Sequence, residues 1–389
     1  MTSQPQQVRS ISPLLTIVAD DLTGACDSAA AFGARGIRSL VITGEELPTA
    51  FDAEVIAIST DTRDIAPDKL QAEFYRHLGL LAERNLHARI FKKIDSALRG
   101  NSFAEIALLS RWMSSKILVI APAFPAMGRR TKDGIQHIAN GAIQQSIDIE
   151  KSLRVAGLVV QRFDSGLSAT DLNTAVSGAI KAGRREFLFD IETQADLQSV
   201  IAALTPFEDE VLWVGSGGFA HALAQKLPAK VSSVPIESSI SVEPQKGKTI
   251  FFVGSDHPVT EAQLEQLRRD HEVVECTPLD DCPDAPAIIC RVGRGSDEGH
   301  TAAFFCGMEP SSIGCIFITG GDTASHLCRA LRVTAISVHN EFACGVPLGT
   351  LRGGPLDGVS VITKSGGFGQ DDLLSSVVTT YTNHAGVIL

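Results

Sequence analysis

The sequence predicts an α/β protein of two domains, each a mainly parallel sheet flanked by helices, with an interdomain active-site cleft. Apolar strand-like runs alternate with helical patterns along almost the whole chain, as is typical of parallel strands joined by crossover helices. The 389 residues also exceed one ordinary compact domain. Finally, the alternation stops at residues 232–248, a stretch with two prolines and no helical period, and then restarts.

The order of the predicted elements divides the chain at this stretch. Before it, the predicted strands are "LLTIVA", "SLVIT", "EVIAIS", "ARIFKKI", "KILVIAPA", "EFLFDI" and "EVLWVG", with helices near 68–84, 102–113, 170–181 and 219–225. After it, the predicted strands are "TIFFVG", "EVVE", "AIICRV", "CIFITG" and "VSVITK", with a helix at "TEAQLEQLRRD". We therefore place one domain at residues 1–235 and the other at residues 236–389, and we expect the ligand between them.

Composition excludes several classes of protein. With 44% hydrophobic and 20% charged residues the chain is typical of a soluble globular protein, and no apolar run is long enough to span a membrane. The formal net charge of −11 argues against non-specific nucleic-acid binding. The polar first residues lack the apolar segment of a signal peptide, so we expect a cytoplasmic protein. The eight cysteines form no CxxC pair, and we expect free thiols and no metal site built from protein ligands.

Two aspartates stand side by side after the first apolar run. Asp20 and Asp21 precede an Ala-rich helix that begins near Leu22. Ligands of parallel sheets bind beyond the carboxyl ends of the strands, where helix N-termini offer backbone N–H groups. A helix cap explains one carboxylate but not two, because neighbouring carboxylates repel and each loses hydration. We expect one of them to cap or orient, and the other to act as a general base or to contact the ligand.

A second polar segment follows the strand "ARIFKKI". It carries cations, a carboxylate and an amide before a helix, namely Lys92, Lys93, Asp95, Arg99 and Asn101. Arginine grips a carboxylate with two parallel hydrogen bonds, and a helix N-terminus favours an anion. A solvated charged loop is the plainer interpretation, but Gly100 and the buried strand favour a carboxylate site. The segment "APAFPAMGRRTKDG" (121–134) is either an ordinary irregular connection or a rigid loop lining the same site.

Three strand-to-helix turns of the second domain are rich in glycine. They are "VGSDHPVT" with Ser255, "ITGGDTAS" with Gly320, Gly321, Asp322 and Thr323, and "TKSGGFG" with Gly366. Such turns let N–H groups and hydroxyls approach phosphate oxygens. They match neither a Walker A loop nor a GxGxxG fingerprint. Because one such turn is weak evidence and three in one domain are stronger, we predict a nucleotide phosphate site here.

Six segments in order, "ADDLTGA", "KKIDSALRGN", "APAFPAMGR", "VGSDHP", "GGDTA" and "KSGGFG", resemble the four-carbon acid sugar kinase family. The resemblance covers nearly the whole chain. It implies an N-terminal sugar-acid-binding domain, a C-terminal nucleotide-binding domain, and phosphorylation of threonate, erythronate or 3-oxo-tetronates at the terminal hydroxyl with ATP and Mg²⁺. It places the substrate side at Asp20, Asp21, Lys92, Asp95, Arg99 and Asn101, and the nucleotide side at Ser255, Gly320–Thr323 and Gly366. Ala97 replaces a threonine usual in the family, which removes a hydroxyl near the substrate.

The resemblance and the residues lead to one mechanistic hypothesis and two alternatives. Asp21 is the predicted base that takes the proton of the attacking hydroxyl, with Asp20 or Asp95 as the alternative base. Arg99 or Lys92 faces the substrate carboxylate. The alternatives are a sugar-acid phosphatase or lyase, and a non-catalytic sensor that binds a sugar acid and a nucleotide. The sequence does not specify which four-carbon acid is preferred, and we expect a homodimer.

Overall fold

The computed structural model describes residues 13–44, 47, 52–140, 143–227, 244–293 and 295–382. The chain divides into two compact units. The first comprises Met1–Phe32 with Pro48–Ala229, and the second comprises Gly33–Leu47 with Lys230–Leu389. The predicted boundary at residue 235 and most of the predicted linker lie outside the described residues.

Strands and helices alternate along the chain as the apolar runs predict. The strands are β1 (Leu15–Ala19), β2 (Ser39–Ile42), β3 (Val55–Ser59), β4 (Ile90–Lys93), β5 (Ile117–Ala121), β6 (Arg129–Lys132), β7 (Ile135–Asn140), β8 (Ile143–Asp148), β9 (Gln161–Phe163), β10 (Glu186–Phe189), β11 (Val211–Gly215), β12 (Lys248–Val253), β13 (Val274–Cys276), β14 (Ala287–Arg291), β15 (Ile313–Thr319), β16 (Ala335–Ala343), β17 (Val346–Arg352) and β18 (Ser360–Lys364). The α-helices are α1 (Leu22–Gly33), α2 (Pro67–Glu83), α3 (Ser102–Trp112), α4 (Ile149–Val155), α5 (Ala169–Lys181), α6 (Gln194–Leu204), α7 (Gly217–Lys226), α8 (Pro258–Asp270), α9 (Glu298–Phe304), α10 (Gly321–Ala330) and α11 (Leu373–Tyr381).

The first unit contains a parallel sheet in the order β3-β1-β4-β11-β5-β10-β9. Its strands β1, β5 and β11 are buried along their whole length, which explains their nearly continuous apolar sequences. Because the strands are parallel, their carboxyl ends and the loops that follow lie along one edge of the sheet. The α/β class with parallel sheets is confirmed.

A small antiparallel sheet, β6-β7-β8, also belongs to the first unit. The segment 121–134, which the sequence analysis took to be either an ordinary irregular connection or a rigid loop lining the site, ends in its first strand and the turn after it. Side chains of β6 are alternately buried and exposed, with Arg129 and Thr131 buried. The hydroxyl of buried Thr131 donates to the side-chain carbonyl of Gln136 at 2.6 Å. A four-residue strand of this polarity carries no apolar run, so the pattern of the sequence did not predict it.

The second unit contains a mixed sheet in the order β13-β14-β12-β15-β18-β17-β16-β2. The first five strands in this order, β13, β14, β12, β15 and β18, pair in parallel. The remaining three, β17, β16 and β2, add antiparallel pairs. Strand β2, "SLVI", thus pairs with β16 of the second unit, although it lies among N-terminal residues in the sequence. Strand β17 is a strand that the sequence analysis did not predict.

No helix in the described part of the chain has the length and apolarity needed to cross a membrane. All eight cysteines are free thiols in the structure, and Cys276 of β13 lies opposite Cys290 of β14.

Candidate active site

The two aspartates after β1 are buried and share one arginine. Asp20 and Asp21 have 1% and 5% of their surface exposed. The Arg63 guanidinium donates from Nε to Asp20 Oδ2 at 2.7 Å and from Nη2 to Asp20 Oδ1 at 3.0 Å, and its Nη1 also donates to Asp21 Oδ2. Arg63 lies in the loop after β3, the neighbour of β1 in the sheet. The sequence analysis did not predict this residue, because "TDTRD" has the appearance of an ordinary polar loop.

Asp21 has further partners at the start of α1. Its Oδ1 accepts the backbone N–H of Gly24 at 2.7 Å, and its Oδ2 accepts the hydroxyl of Thr23 at 2.9 Å. Asp21, the predicted base, thus also caps the helix, whereas the sequence analysis expected the cap and the base to be different aspartates. A side chain at Gly24 would meet Asp21 Oδ1 at 2.7 Å and the Lys93 ammonium at 3.0 Å. Glycine therefore lets the first turn of α1 approach these charged groups closely.

The two carboxylates have opposite pKa shifts. Burial opposes the charged form of both. The pKa of Asp20 is nevertheless lowered, because Arg63 binds it with two hydrogen bonds and Lys92 and Lys93 add positive charge. The pKa of Asp21 is raised, because burial outweighs Arg63 and the charge of Asp20 adds to it. Asp20 is therefore the fixed anion of the pair, and Asp21 is the group that more readily accepts a proton.

The motif "RGN" holds the loop that carries Arg63. The backbone N–H of Asn101 donates to Arg63 O at 3.0 Å, and its side-chain amide donates to Thr62 O and Ile65 O, each at 2.8 Å. Gly100 has φ +64, and a Cβ on it would collide with Arg63 O. Asn101, predicted to contact the substrate, thus uses its side-chain amide on the backbone of this loop, which makes it a supporting residue.

Replacing Gly100 by alanine is expected to lower stability and activity together. Alanine in the left-handed region costs about 1–2 kcal/mol, and the collision with Arg63 O would add to this and displace the guanidinium. Gly166→Ala is the matched control, because Gly166 has φ +78 in the same unit and open space around its Cβ position. Urea unfolding and turnover measure both effects. Equal losses in the two variants would contradict a specific role of Gly100 in placing Arg63.

The two lysines of β4 point to opposite faces of the sheet, as the twofold period of a strand requires. Lys92 is fully buried, its ammonium lies 2.6 Å from Glu105 Oε2, and it stands over the ring of Phe74 at 5.5 Å. Lys93 lies on the other face, 3.8 Å from Asp27 Oδ2. The prediction that Lys92 faces the substrate carboxylate therefore needs correction, because its ammonium is already paired in the interior. Lys93 is the lysine beside Asp21 and Asp27.

Asp95 and Arg99 form a pair at the exposed side of this cluster. Arg99 donates from Nε to Asp95 Oδ2 at 2.7 Å and from Nη2 to Asp95 Oδ1 at 2.8 Å. The pair with Arg99, helped by Arg63, lowers the pKa of the buried Asp95 carboxyl despite its desolvation. The Arg99 side chain is 55% exposed, so its outer face is open to a ligand. Asp95, which accepts two charge-assisted hydrogen bonds, is less suited than Asp21 to take a proton.

Arg129 and Asp27 add opposite charges to the same edge of the sheet. Arg129, the last residue of "APAFPAMGR", is 7% exposed, and burial lowers its pKa against the opposing charges of Asp95 and Asp27. A Cβ at Gly217 would lie 2.5 Å from Asp27 Oδ2, so the start of α7, which follows β11, also packs against this region. The strand ends thus assemble four carboxylates and four cations, namely Asp20, Asp21, Asp27, Asp95, Arg63, Lys93, Arg99 and Arg129. Such a set can bind an anion and several hydroxyls.

In the second unit, the three glycine turns meet at the carboxyl ends of β12, β15 and β18. A Cβ on Gly254 would collide with Thr323 Oγ1, and one on Gly366 would collide with Ser255 Oγ. Gly320 has φ +100, and its N–H donates to Lys364 O at 3.0 Å. Gly321 and Asp322 form the first turn of α10, whose N–H groups have no partner within a helix. The structure therefore brings together all the residues predicted for the nucleotide.

These turns fit a phosphate group. Glycines let these turns pack closely against the hydroxyls of Thr323 and Ser255, and N–H groups of such turns bind anions. Thr319 Oγ1 and Thr363 Oγ1, at the ends of β15 and β18, are buried polar atoms with no hydrogen-bond partner among the described residues.

In the described residues one group of three acidic side chains has the spacing of a metal site, Asp133, Asp164 and Asp190 in the first unit. Arg162 lies within 3.7 Å of each of them, which supplies the positive charge there.

The first unit has a charged site suited to hydroxyls and an anion, and the second unit has turns suited to phosphate. This combination is typical of two-domain α/β proteins that bind a small polar molecule and a nucleotide. Two family models agree with this division. A model described as "Sugar-binding N-terminal domain" matches residues 15–223, and one described as "Nucleotide-binding C-terminal domain" matches residues 300–374. The chain belongs to the four-carbon acid sugar kinase family, and the resemblance read from its six motifs is confirmed.

Individual relatives are similar over nearly the whole chain. A D-threonate kinase of Cupriavidus necator is 30% identical over 425 residues, which cover 92% of this chain and 95% of the relative. A D-erythronate kinase of Heliobacterium modesticaldum is 24% identical, with 94% and 96% covered. Among solved structures, the Haemophilus influenzae protein HI1011 has a TM-score of 0.68 at 19% identity, with 94% of this chain and 100% of that chain covered. A Salmonella typhimurium LT2 structure has a TM-score of 0.71 at 18% identity, with 93% and 98% covered, and both likenesses bear on the fold alone.

Proposed function

We propose that this member of the four-carbon acid sugar kinase family transfers the γ-phosphoryl group of ATP to the terminal hydroxyl of a four-carbon sugar acid. The observation that carries the proposal is the buried pair of Asp20 and Asp21 after β1, in which Asp20 accepts two hydrogen bonds from Arg63 while burial raises the pKa of Asp21. A base with a raised pKa accepts the proton of the attacking hydroxyl more effectively near neutral pH. Relatives with kinase names cover more than nine tenths of the chain.

In the proposed mechanism the first unit binds the acid and activates its hydroxyl. Asp21 takes the proton, and Asp20 with Arg63 fixes the orientation of Asp21. Arg99 binds the substrate carboxylate, because its guanidinium is more than half exposed while still anchored to Asp95. Lys93 and Arg129 add positive charge on the same edge of the sheet. Lys92 and Asn101, predicted as ligand contacts, are assigned supporting roles.

The second unit binds ATP in this proposal. Ser255, Gly320, Gly321, Thr323 and Gly366 line the turns that would receive the phosphates, and Asp322, exposed in the first turn of α10, would offer a carboxylate oxygen to Mg²⁺. Bound Mg²⁺ neutralises charge on the phosphate oxygens. In-line transfer requires the activated hydroxyl and the γ-phosphate to meet, and the cleft expected between the domains stays a prediction. Because ATP is available in the cytoplasm, we place the reaction there. The homodimer also stays a prediction.

The test is a coupled ADP-release assay with Mg·ATP and a panel of acids, namely D- and L-threonate, D- and L-erythronate and their 3-oxo derivatives. The Asp21→Asn protein in the same panel gives the background. ADP release with one acid supports the kinase and identifies the substrate. Turnover of an acid phosphate or a sugar acid without ATP would indicate the phosphatase or lyase. Binding of both ligands without ADP release would indicate the sensor.

A further inference from the structure

Lys364, at the end of β18, is a buried cation that the sequence analysis quoted within a motif but assigned no role. Its side chain is completely buried. The ammonium donates to Gly366 O at 2.8 Å, to Thr260 Oγ1 at 3.1 Å and to Ser365 O at 3.3 Å. All three acceptors are neutral. Among the described residues no carboxylate lies within ion-pair distance of this ammonium, in contrast to Lys92 with Glu105.

The surroundings of Lys364 hold the turn 365–370 by its carbonyl groups. The Thr260 hydroxyl donates to Gly366 O at 2.9 Å, and the Gln263 amide donates to Phe368 O at 3.0 Å and to Gln370 O at 2.9 Å. The carbonyl groups of the turn thus accept hydrogen bonds from side chains of the second unit. Within the part of the chain that the structure describes, the N–H groups of Gly366 and Gly367 donate no hydrogen bond. These amides are available to an anion.

We infer that Lys364 is a positioning residue for the nucleotide: its ammonium fixes the turn with amides directed to the phosphates and supplies the positive charge beneath them. This inference rests on the proposed function and adds to it a residue that does not itself touch the nucleotide. The carbonyl of Lys364 also accepts the N–H of Gly320, so one residue links two of the three glycine turns. Because its acceptors are neutral, no carboxylate offsets the charge that the protonated Lys364 offers to an approaching anion.

Proton uptake is the signature that separates this role from simple packing. Burial lowers the pKa of Lys364 to about 7, and a bound phosphate raises the pKa of a nearby ammonium. Above neutral pH the free protein therefore carries a largely neutral Lys364, and the nucleotide must bind together with a proton. The other titratable or charged groups on neighbouring elements are His257, which packs on Gly367, Glu261, which Arg291 holds, and the exposed Asp256 and Asp322.

The experiment is calorimetric titration of the full chain with Mg·ADP between about pH 7.5 and about pH 9, in pairs of buffers with different ionisation enthalpies. For the natural protein we expect proton uptake on binding and an affinity that falls on the order of tenfold across this range, the change that one pKa unit allows. In Lys364→Gln, whose amide can still donate to Gly366 O, the affinity is lower at the acidic end and nearly independent of pH, and no proton is taken up.

His257→Asn is the matched control, because asparagine also caps a helix and the variant removes the other titratable side chain on the turn. This variant should keep the proton uptake of the natural protein. Proton uptake that is absent in the natural protein, or unchanged in Lys364→Gln, overturns the inference even where ADP binds well. Absence of ADP binding at every pH overturns the proposed nucleotide site as well. If Lys364→Gln fails to fold, the measurement on the natural protein and on His257→Asn decides alone.

Discussion

Replacing Asp21 by asparagine is expected to lower kcat about 10²–10⁴-fold, the usual contribution of a general base. The substitution preserves the helix cap, because the asparagine carbonyl still accepts the Gly24 N–H and asparagine is as good an N-cap as aspartate. It removes the basic oxygen that receives the proton. ADP affinity should not change, since the predicted nucleotide residues belong to the other unit.

Asp68→Asn is the control for this variant. Asp68 is an exposed aspartate in the first turn of α2, and its loss should leave kcat within about twofold, as is usual for surface substitutions. Steady-state kinetics with the preferred acid, ADP titration and urea unfolding are measured for both. A nearly normal kcat in Asp21→Asn would move the base to Asp20 or Asp95. A large loss of stability would show that Asp21 acts mainly as the ionic partner of Arg63, because asparagine keeps the helix cap.

The pH dependence of turnover adds an independent check on Asp21. A base must be deprotonated to act, so kcat falls as the pH falls through its pKa. Because the pKa of Asp21 is raised above its ordinary value of 3.8, the acidic limb of the profile is expected above that value. The limb disappears from the residual activity of Asp21→Asn.

The fold and the two regions of the site could be predicted because each depends on a local pattern. Buried parallel strands are nearly continuous apolar runs, and the polar residues just after them mark the ligand edge of the sheet. Asp20, Asp21 and the glycine turns follow this rule. Short polar strands such as β6 carry no such pattern, and neither does the pairing of β2 with β16, which depends on a partner about 300 residues away.

Roles within the site depended on long-range contacts that one sequence does not contain. Arg63 is 42 residues from Asp21, and its importance follows only from the pairing of β1 with β3. The sequence does not distinguish the roles of Lys92 and Lys93, because the packing of α1, α2 and α3 decides which face of β4 lies beside the aspartates. Asn101 is of a residue type that often binds ligands, but its side-chain amide donates a hydrogen bond to the backbone of the Arg63 loop.

Replacing Arg63 by alanine is expected to destabilise the first unit by about 3–5 kcal/mol, the cost of leaving buried charges without their partner. Arg63 is 15% exposed on its side chain and is the shared cation of two adjacent buried carboxylates. Arg89→Ala is the matched control, because Arg89 also bridges two acids, Glu208 and Asp209, but at a surface where its side chain is 41% exposed. An exposed pair of this kind contributes about 0–1 kcal/mol.

The pH dependence of this loss has a defined sign. In the natural protein the pKa of Asp20 is lowered below 3.8, so its contribution to stability is present above that value and is lost as the pH falls through the lowered pKa. Without Arg63, burial raises the pKa of Asp20, and the variant loses stability as the pH rises above 3.8. The difference in unfolding free energy between the natural protein and Arg63→Ala should therefore shrink from about pH 7 to about pH 4.5 in urea titrations. Adding Asp20→Asn to Arg63→Ala should recover part of the loss at neutral pH. A difference that is independent of pH, or no recovery in the double variant, would mean that Arg63 stabilises the unit by packing and not by neutralising the paired aspartates.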